Sequence, residues 1–146
     1  MLLSATLFSQ TYIDQNKAQV KRGLKRYMNS FNYHNSTIKE TDTTVTLQVR
    51  EPNIQPVDFE HYFDASGKCY AETIVAKCFE CLEKRLDWIM GLKRFGWLKL
   101  NDNKYVSKYS KSIQMVVVNN PDGDSYIDAR KIIWGKADYK AMVNNR

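Results

Sequence analysis

The sequence predicts an α+β fold: a curved antiparallel sheet of about six or seven strands with two main helices packed on one face. Three observations carry this. Two segments show one-sided apolar stripes at helical spacing, Val20-Leu24-Tyr27/Met28-Phe31 and Phe79-Leu82-Leu86-Ile89. A third segment alternates at period two, with Val45, Leu47 and Val49 against Thr44, Thr46 and Gln48, as a half-buried strand does. Turn residues at Asp64-Ala-Ser-Gly67, Asn101-Asp-Asn103 and Asn120-Pro-Asp-Gly123 then join neighbouring strand-like runs as hairpins.

The elements follow in order. The first helix runs from Thr11 or Asp14 to Asn29, with Thr11-x-x-Asp14 as a capping box or Asp14 alone as the N-cap. Lys17, Lys21 and Lys25 stack on its solvent side, with Arg22 and Arg26 beside them. Asn29 to Asp42 is polar and reads as a loop. Thr43–Arg50 is a strand, broken by Pro52 and Pro56. Val57–Asp64 and Lys68–Ala76 form a hairpin, in which Gly67 supplies positive φ. The second helix spans Cys78 to Arg94, with Glu80, Glu83, Lys84 and Asp87 outward and Gly96 as its stop. Trp97–Leu100, Lys104–Ser110, Ile113–Val118 and Ser125–Trp134 read as strands, and Asp138 caps a short final helical turn.

The first ten residues, Met1 to Gln10, read as the remnant of a secretory signal peptide. Leu2 to Phe8 is a short apolar run, followed by small Ser9 and polar Gln10, although the basic start is missing. Residues 11–146 are then expected to form one α+β domain, which suits a chain of 146 residues. No apolar run approaches the ~20 residues of a membrane helix. The net charge of +6 is uneven. Residues 1–40 hold six Lys/Arg against two acids, residues 41–92 five against nine, and residues 93–146 eleven against five. Such a field attracts anionic partners, and equally serves as a solvated surface.

Cys78-Phe-Glu-Cys81 follows a strand and opens a helix, where a helix N-terminus lowers a thiol pKa. The surrounding pattern is not βαβ, and Glu80 opposes a thiolate, so packed thiols are expected, with a bridge from Cys69 to Cys78 or Cys81 as another option. His61, Cys69, Cys78 and Cys81 have the ligand types of a Cys₃His zinc site, but only Cys78 and Cys81 form the close pair such sites use. Asp122, Asp124 and Asp128 fail the spacing of a calcium loop and fit a hairpin turn. His34 and His61 are the two histidines, no Gly-x-Ser-x-Gly occurs, and the six glycines are scattered. No cofactor and no catalytic set is expected. The C-terminal third interleaves aromatic and basic residues, from which Trp97, Tyr105, Tyr109, Arg130 and Trp134 are taken as candidate ligand-binding residues.

The leader ending in Ser9-Gln10, the hairpin Tyr62-Phe-Asp-Ala-Ser-Gly-Lys-Cys69 and the helix after it resemble small exported α+β domains of unknown function from Bacteroidetes. The resemblance implies export and brings no catalytic residues. The expected function is therefore an exported, periplasmic or extracellular, non-enzymatic binding or envelope-associated domain, whose partner is another protein or a cell-envelope polymer. The alternative is an intracellular adaptor or nucleic-acid-binding module that uses the basic first helix and the basic-aromatic C-terminal strands.

Overall fold

A computed structural model describes residues 12–145. The candidate leader, residues 1–10, lies outside them. The elements are α1 (Lys17–Ser30), β1 (Thr37–Glu40), β2 (Thr44–Val49), β3 (Val57–Phe63), β4 (Cys69–Ala76), α2 (Glu80–Met90), β5 (Trp97–Lys99), β6 (Lys104–Ser107), β7 (Ile113–Val118), β8 (Ser125–Lys131) and α3 (Lys136–Asn144). All strands join one open antiparallel sheet in the order β1-β2-β3-β4-β8-β7-β6-β5. The α+β class and the antiparallel sheet are as expected. The sheet has eight strands rather than six or seven, and three helices are present rather than two.

Two halves of like order meet in the sheet. Each is a helix followed by a four-stranded meander, and the last strands of the two meanders, β4 and β8, pair with each other. Because β4 and β8 are central, side chains of one parity form a continuous inner face. One row across it runs Leu47, Phe59, Ile74, Ile127, Val117, and the next runs Val45, His61, Glu72, Ala129, Met115, Tyr105. Val20 and Leu24 of α1 pack with Val45, Leu47 and Val49. Leu82 of α2 packs with Ala76, Met115, Val117 and Ile127. Both long helices therefore cover the same face.

Several boundaries differ from expectation for local reasons. α1 begins at Lys17 because Asn16 and Gln19 close the capping box: the Asn16 side chain accepts from the Gln19 N–H, and the Gln19 side chain accepts from the Asn16 N–H. Asp14 instead takes a left-handed turn (φ 68°) and pairs with Lys131. α2 ends at Gly91, which caps it, and Gly96 (φ 53°) serves the turn into β5. The Thr37–Glu40 strand lies inside the segment expected to be a loop, where it forms the outer edge on β2. The Lys104–Ser110 run stops pairing at Ser107, and the Ser125–Trp134 run stops at Lys131. The final helical turn is a nine-residue helix, α3. It returns to the β5–β6 edge, where Tyr139 donates to the Ser107 carbonyl.

Candidate functional site

α1 lies over β2, whereas α2 lies over β4 and β8. The two helices are thus spaced unequally across the sheet, and β3 runs beneath the gap between them. The floor of that gap is Phe59 and His61 of β3 with Glu72 and Ile74 of β4. Two cavities occupy it. The smaller, about 80 Å³, is walled by Tyr12, Leu24, Trp88, Leu92 and Trp97. The larger, about 290 Å³, is walled by Tyr33, Val49, Ile54, Val57 and Leu82. Tyr27, Phe59, Ile74 and Arg85 line both, so the cavities form one groove that Arg85 divides.

Glu72 faces this groove because of a β-bulge. Phe63 pairs with Cys69 and Tyr62 with Ala71, which leaves Tyr70 unpaired and inverts the phase of β4. Counting by two from buried Cys69 would turn Ala71, Thr73 and Val75 inward. With Tyr70 inserted, Glu72, Ile74 and Ala76 face inward instead. Glu72 is half-buried, lines the smaller cavity and accepts the Tyr12 N–H with its carboxyl. Burial pushes its pKa up to about 8, against the opposing pull of the Tyr12 N–H and Arg94.

His61 pairs with Glu72 across β3 and β4 and is 4% exposed. Burial pushes its pKa down to about 4, so the ring is neutral at pH 7. Its Nδ1 lies 3.1 Å from the Val45 carbonyl, and a neutral imidazole can meet that acceptor only by donating from Nδ1, which assigns the tautomer. Tyr12 stands edge-on to the ring at 5.3 Å. Tyr12 itself lies against α1 at Gly23, where an added Cβ would come within 2.4 Å of its Cε1. The glycine in mid-helix, poor for helix propensity, makes room for this ring. Burial also raises the Tyr12 hydroxyl to about 12.

Arg85 extends from α2 over the aromatic floor. Its guanidinium carbon is 4.7 Å from the Phe59 ring centre and 5.3 Å from that of Tyr27, and Nη2 donates to the Tyr27 hydroxyl. No carboxylate among the described residues forms an ion pair with it. The groove at neutral pH thus contains a neutral acid, a neutral imidazole and a standing positive charge.

The candidate ligand-binding residues do not share one surface. Trp97 turns to the inner face, stacks on Phe95 and donates its indole N–H to the Ile89 carbonyl, which puts it in the wall of the smaller cavity. Tyr105 is also inward, packed against the core beneath α2. Tyr109 lies beyond the end of β6, 63% exposed, against Gly96. Arg130 is on the opposite face, where Nε and Nη2 both bond Asp128 at 2.6 Å. Trp134 donates to the Lys111 carbonyl near α3. Tyr12, Glu72 and Arg85 escaped the sequence reading; the one available signal was Glu72 as a lone carboxylate in the run Ala71 to Ala76.

The cysteines also separate. Cys78 and Cys81 are joined in a disulfide at the start of α2, and neither bonds Cys69, which is a buried free thiol that burial pushes up to about 12. This corrects both the expected pair of packed thiols at Cys78 and Cys81 and the alternative bridge from Cys69. With two sulfurs bonded to each other, His61, Cys69, Cys78 and Cys81 do not make a Cys₃His centre, and among the described residues no group of three His, Cys, Asp or Glu is placed to hold a metal ion. On α1, Lys17 bonds the carbonyls of Thr41 and Asp42, and Lys21 pairs with Glu40, so two of the five cations of its basic side serve the β1–β2 end of the fold. No helix among the described residues is long and apolar enough to cross a membrane. Comparison with family models, with curated proteins and with solved structures found no match.

Proposed function

We propose that this chain is an exported, non-enzymatic binding domain whose ligand enters the groove between α1 and α2. The observation that carries the reading is the joined pair of cavities, walled by aromatic and aliphatic side chains and floored by polar groups that are uncharged at pH 7. An apolar pocket with a few converging polar groups is the usual form of a small-ligand site. The Cys78–Cys81 disulfide supports an oxidising compartment. Nucleic acid on the basic side of α1 has less support, because Lys17 and Lys21 already serve internal contacts.

Two measurements test the parts separately. For binding, the full chain is titrated with the neutral aromatic probe 3-phenylpropan-1-ol. One bound equivalent is expected, together with its loss in Val57→Phe, which fills the larger cavity from its wall. No binding by the wild-type chain of this alcohol or of its carboxylate and amine analogues would end the groove reading. For export, cells making the full open reading frame are fractionated. A shortened product outside the cytoplasm is expected, and unshortened protein in the cytoplasm would exclude export.

One observation favours an enzyme as a second reading. His61 and Glu72 face one another across two strands with displaced pKa values, and such groups cluster at catalytic sites. Both displacements run towards the neutral form and have burial as their largest cause, as in a sequestered pair. Glu72→Gln separates the readings: a binding site keeps its affinity, because the amide is also neutral and still accepts the Tyr12 N–H, whereas a proton donor loses its reaction.

A further inference from the structure

We propose that Arg85 is a carboxylate seat, and that the groove takes a small organic acid with one aromatic or branched apolar body. This rests on the groove being a ligand site and specifies the chemistry of the ligand.

The first argument is the state of Arg85. A guanidinium offers five N–H donors in a planar fork suited to a carboxylate. Here one is spent on the Tyr27 hydroxyl, and the plane is held over Phe59 and Tyr27. The side chain is half-buried and has no carboxylate partner among the described residues. A partly dehydrated cation fixed by aromatic faces with donors to spare lacks only its anion.

The second argument is the surrounding charge. Glu72, the carboxyl lining the same groove, is neutral at pH 7 and occupied by the Tyr12 N–H. Glu51, whose charge is felt at Tyr33, accepts from Asn35 and Ser36. Asp58 pairs with Arg50 through a strand position of outer-face parity. Arg94 adds positive potential near Glu72. An anion entering the groove therefore meets attraction, and an ammonium meets repulsion.

The third argument is size. An apolar cavity of about 150 Å³ accommodates benzene. The cavity of about 290 Å³ has room for a ring with a short chain, whereas that of about 80 Å³ does not hold a ring. The ring then lies among Tyr33, Val49, Val57 and Leu82, and a two- or three-atom linker brings the acid to Arg85 at the junction.

The experiment is calorimetric titration of the full chain at pH 7 with 3-phenylpropionate, 3-phenylpropan-1-ol and 3-phenylpropylamine, which share a body and differ in head group. The acid is expected to bind at least tenfold more tightly than the alcohol, with the amine weakest. Arg85→Met should abolish the preference for the acid over the alcohol, and Arg85→Lys should keep part of it. An alcohol that matches the acid, a preferred amine, or an Arg85→Met chain that keeps the preference for the acid would overturn the carboxylate seat while leaving the groove as a binding site. Binding of none of the three would remove the groove reading itself. Circular dichroism checks that the variants fold. If Arg85→Met does not, the ranking of the three compounds on the wild-type chain still decides.

Discussion

Glu72 and His61 place opposite demands on pH. For Glu72, burial raises the pKa from 4.5 to about 8, so its contribution to stability is complete below pH 4.5 and is lost as pH rises through 8. For His61, burial lowers the value from 6.5 to about 4, so its contribution is complete above pH 6.5 and is lost as pH falls through 4. Between 4.5 and 6.5 the two slopes oppose one another. Stability should be level there and should then fall from pH 6.5 to 8, by up to about 1.4 kcal/mol per unit. Urea unfolding at pH 4.5, 6.5 and 8 checks this, and Glu72→Gln should flatten the alkaline side. A wild-type chain equally stable at pH 6.5 and 8 would show that Glu72 is not held neutral. At this scale the sequence was least legible. His61, between Glu60 and Tyr62, carries no local sign of burial, because the Val45 carbonyl and the Tyr12 ring that enclose it are distant in sequence. Glu72 was hidden by the bulge at Tyr70, which no spacing rule reveals in a single sequence.

Two elements make predictions of their own. In α1, Gly23→Ala would gain up to about 1 kcal/mol of helix propensity. It would also drive a methyl into Tyr12, whose ring is pinned between α1 and His61. Overpacking costs roughly 1–3 kcal/mol, so chemical denaturation should show a net loss of up to about 2 kcal/mol; a more stable variant would mean that Tyr12 is not fixed there. In α2, the Cys78–Cys81 bridge closes a very short loop. On chain entropy it contributes about 2 kcal/mol, so Cys78→Ser with Cys81→Ser should remain folded and lose about that much. The stripes of α1 and α2 and the alternation of β2 were readable because each buries one regular face against the sheet. β1 was not, because an edge strand with only Ile38 half-buried in Thr37–Glu40 carries no period to detect. The start of α1 was displaced for a similar reason: Asn16 and Asp14 are both fair caps by type, and only Gln19 closing on Asn16 decides between them.

The whole molecule owes its groove to a mismatch between sheet and helices. The strand order is mirrored about the β4–β8 junction, yet α1 sits out on β2 and α2 sits at the junction, which leaves β3 beneath a gap. The α+β class and the antiparallel hairpins could be read from local patterns. The closure of β4 on β8 could not, because it joins residues such as Ile74 and Ile127 that are distant in sequence, through contacts that leave no periodic trace. The gap over β3 follows from that closure and was equally hidden. The most direct test of the account is a methyl NMR titration of the full chain with 3-phenylpropionate. Saturable shifts are expected at Val49, Val57, Ile74 and Leu82 in the larger cavity, with Ile133, 98% exposed beyond β8, unmoved. Shifts centred on Ile133 and the C-terminal aromatics, with those four methyls silent, would contradict it.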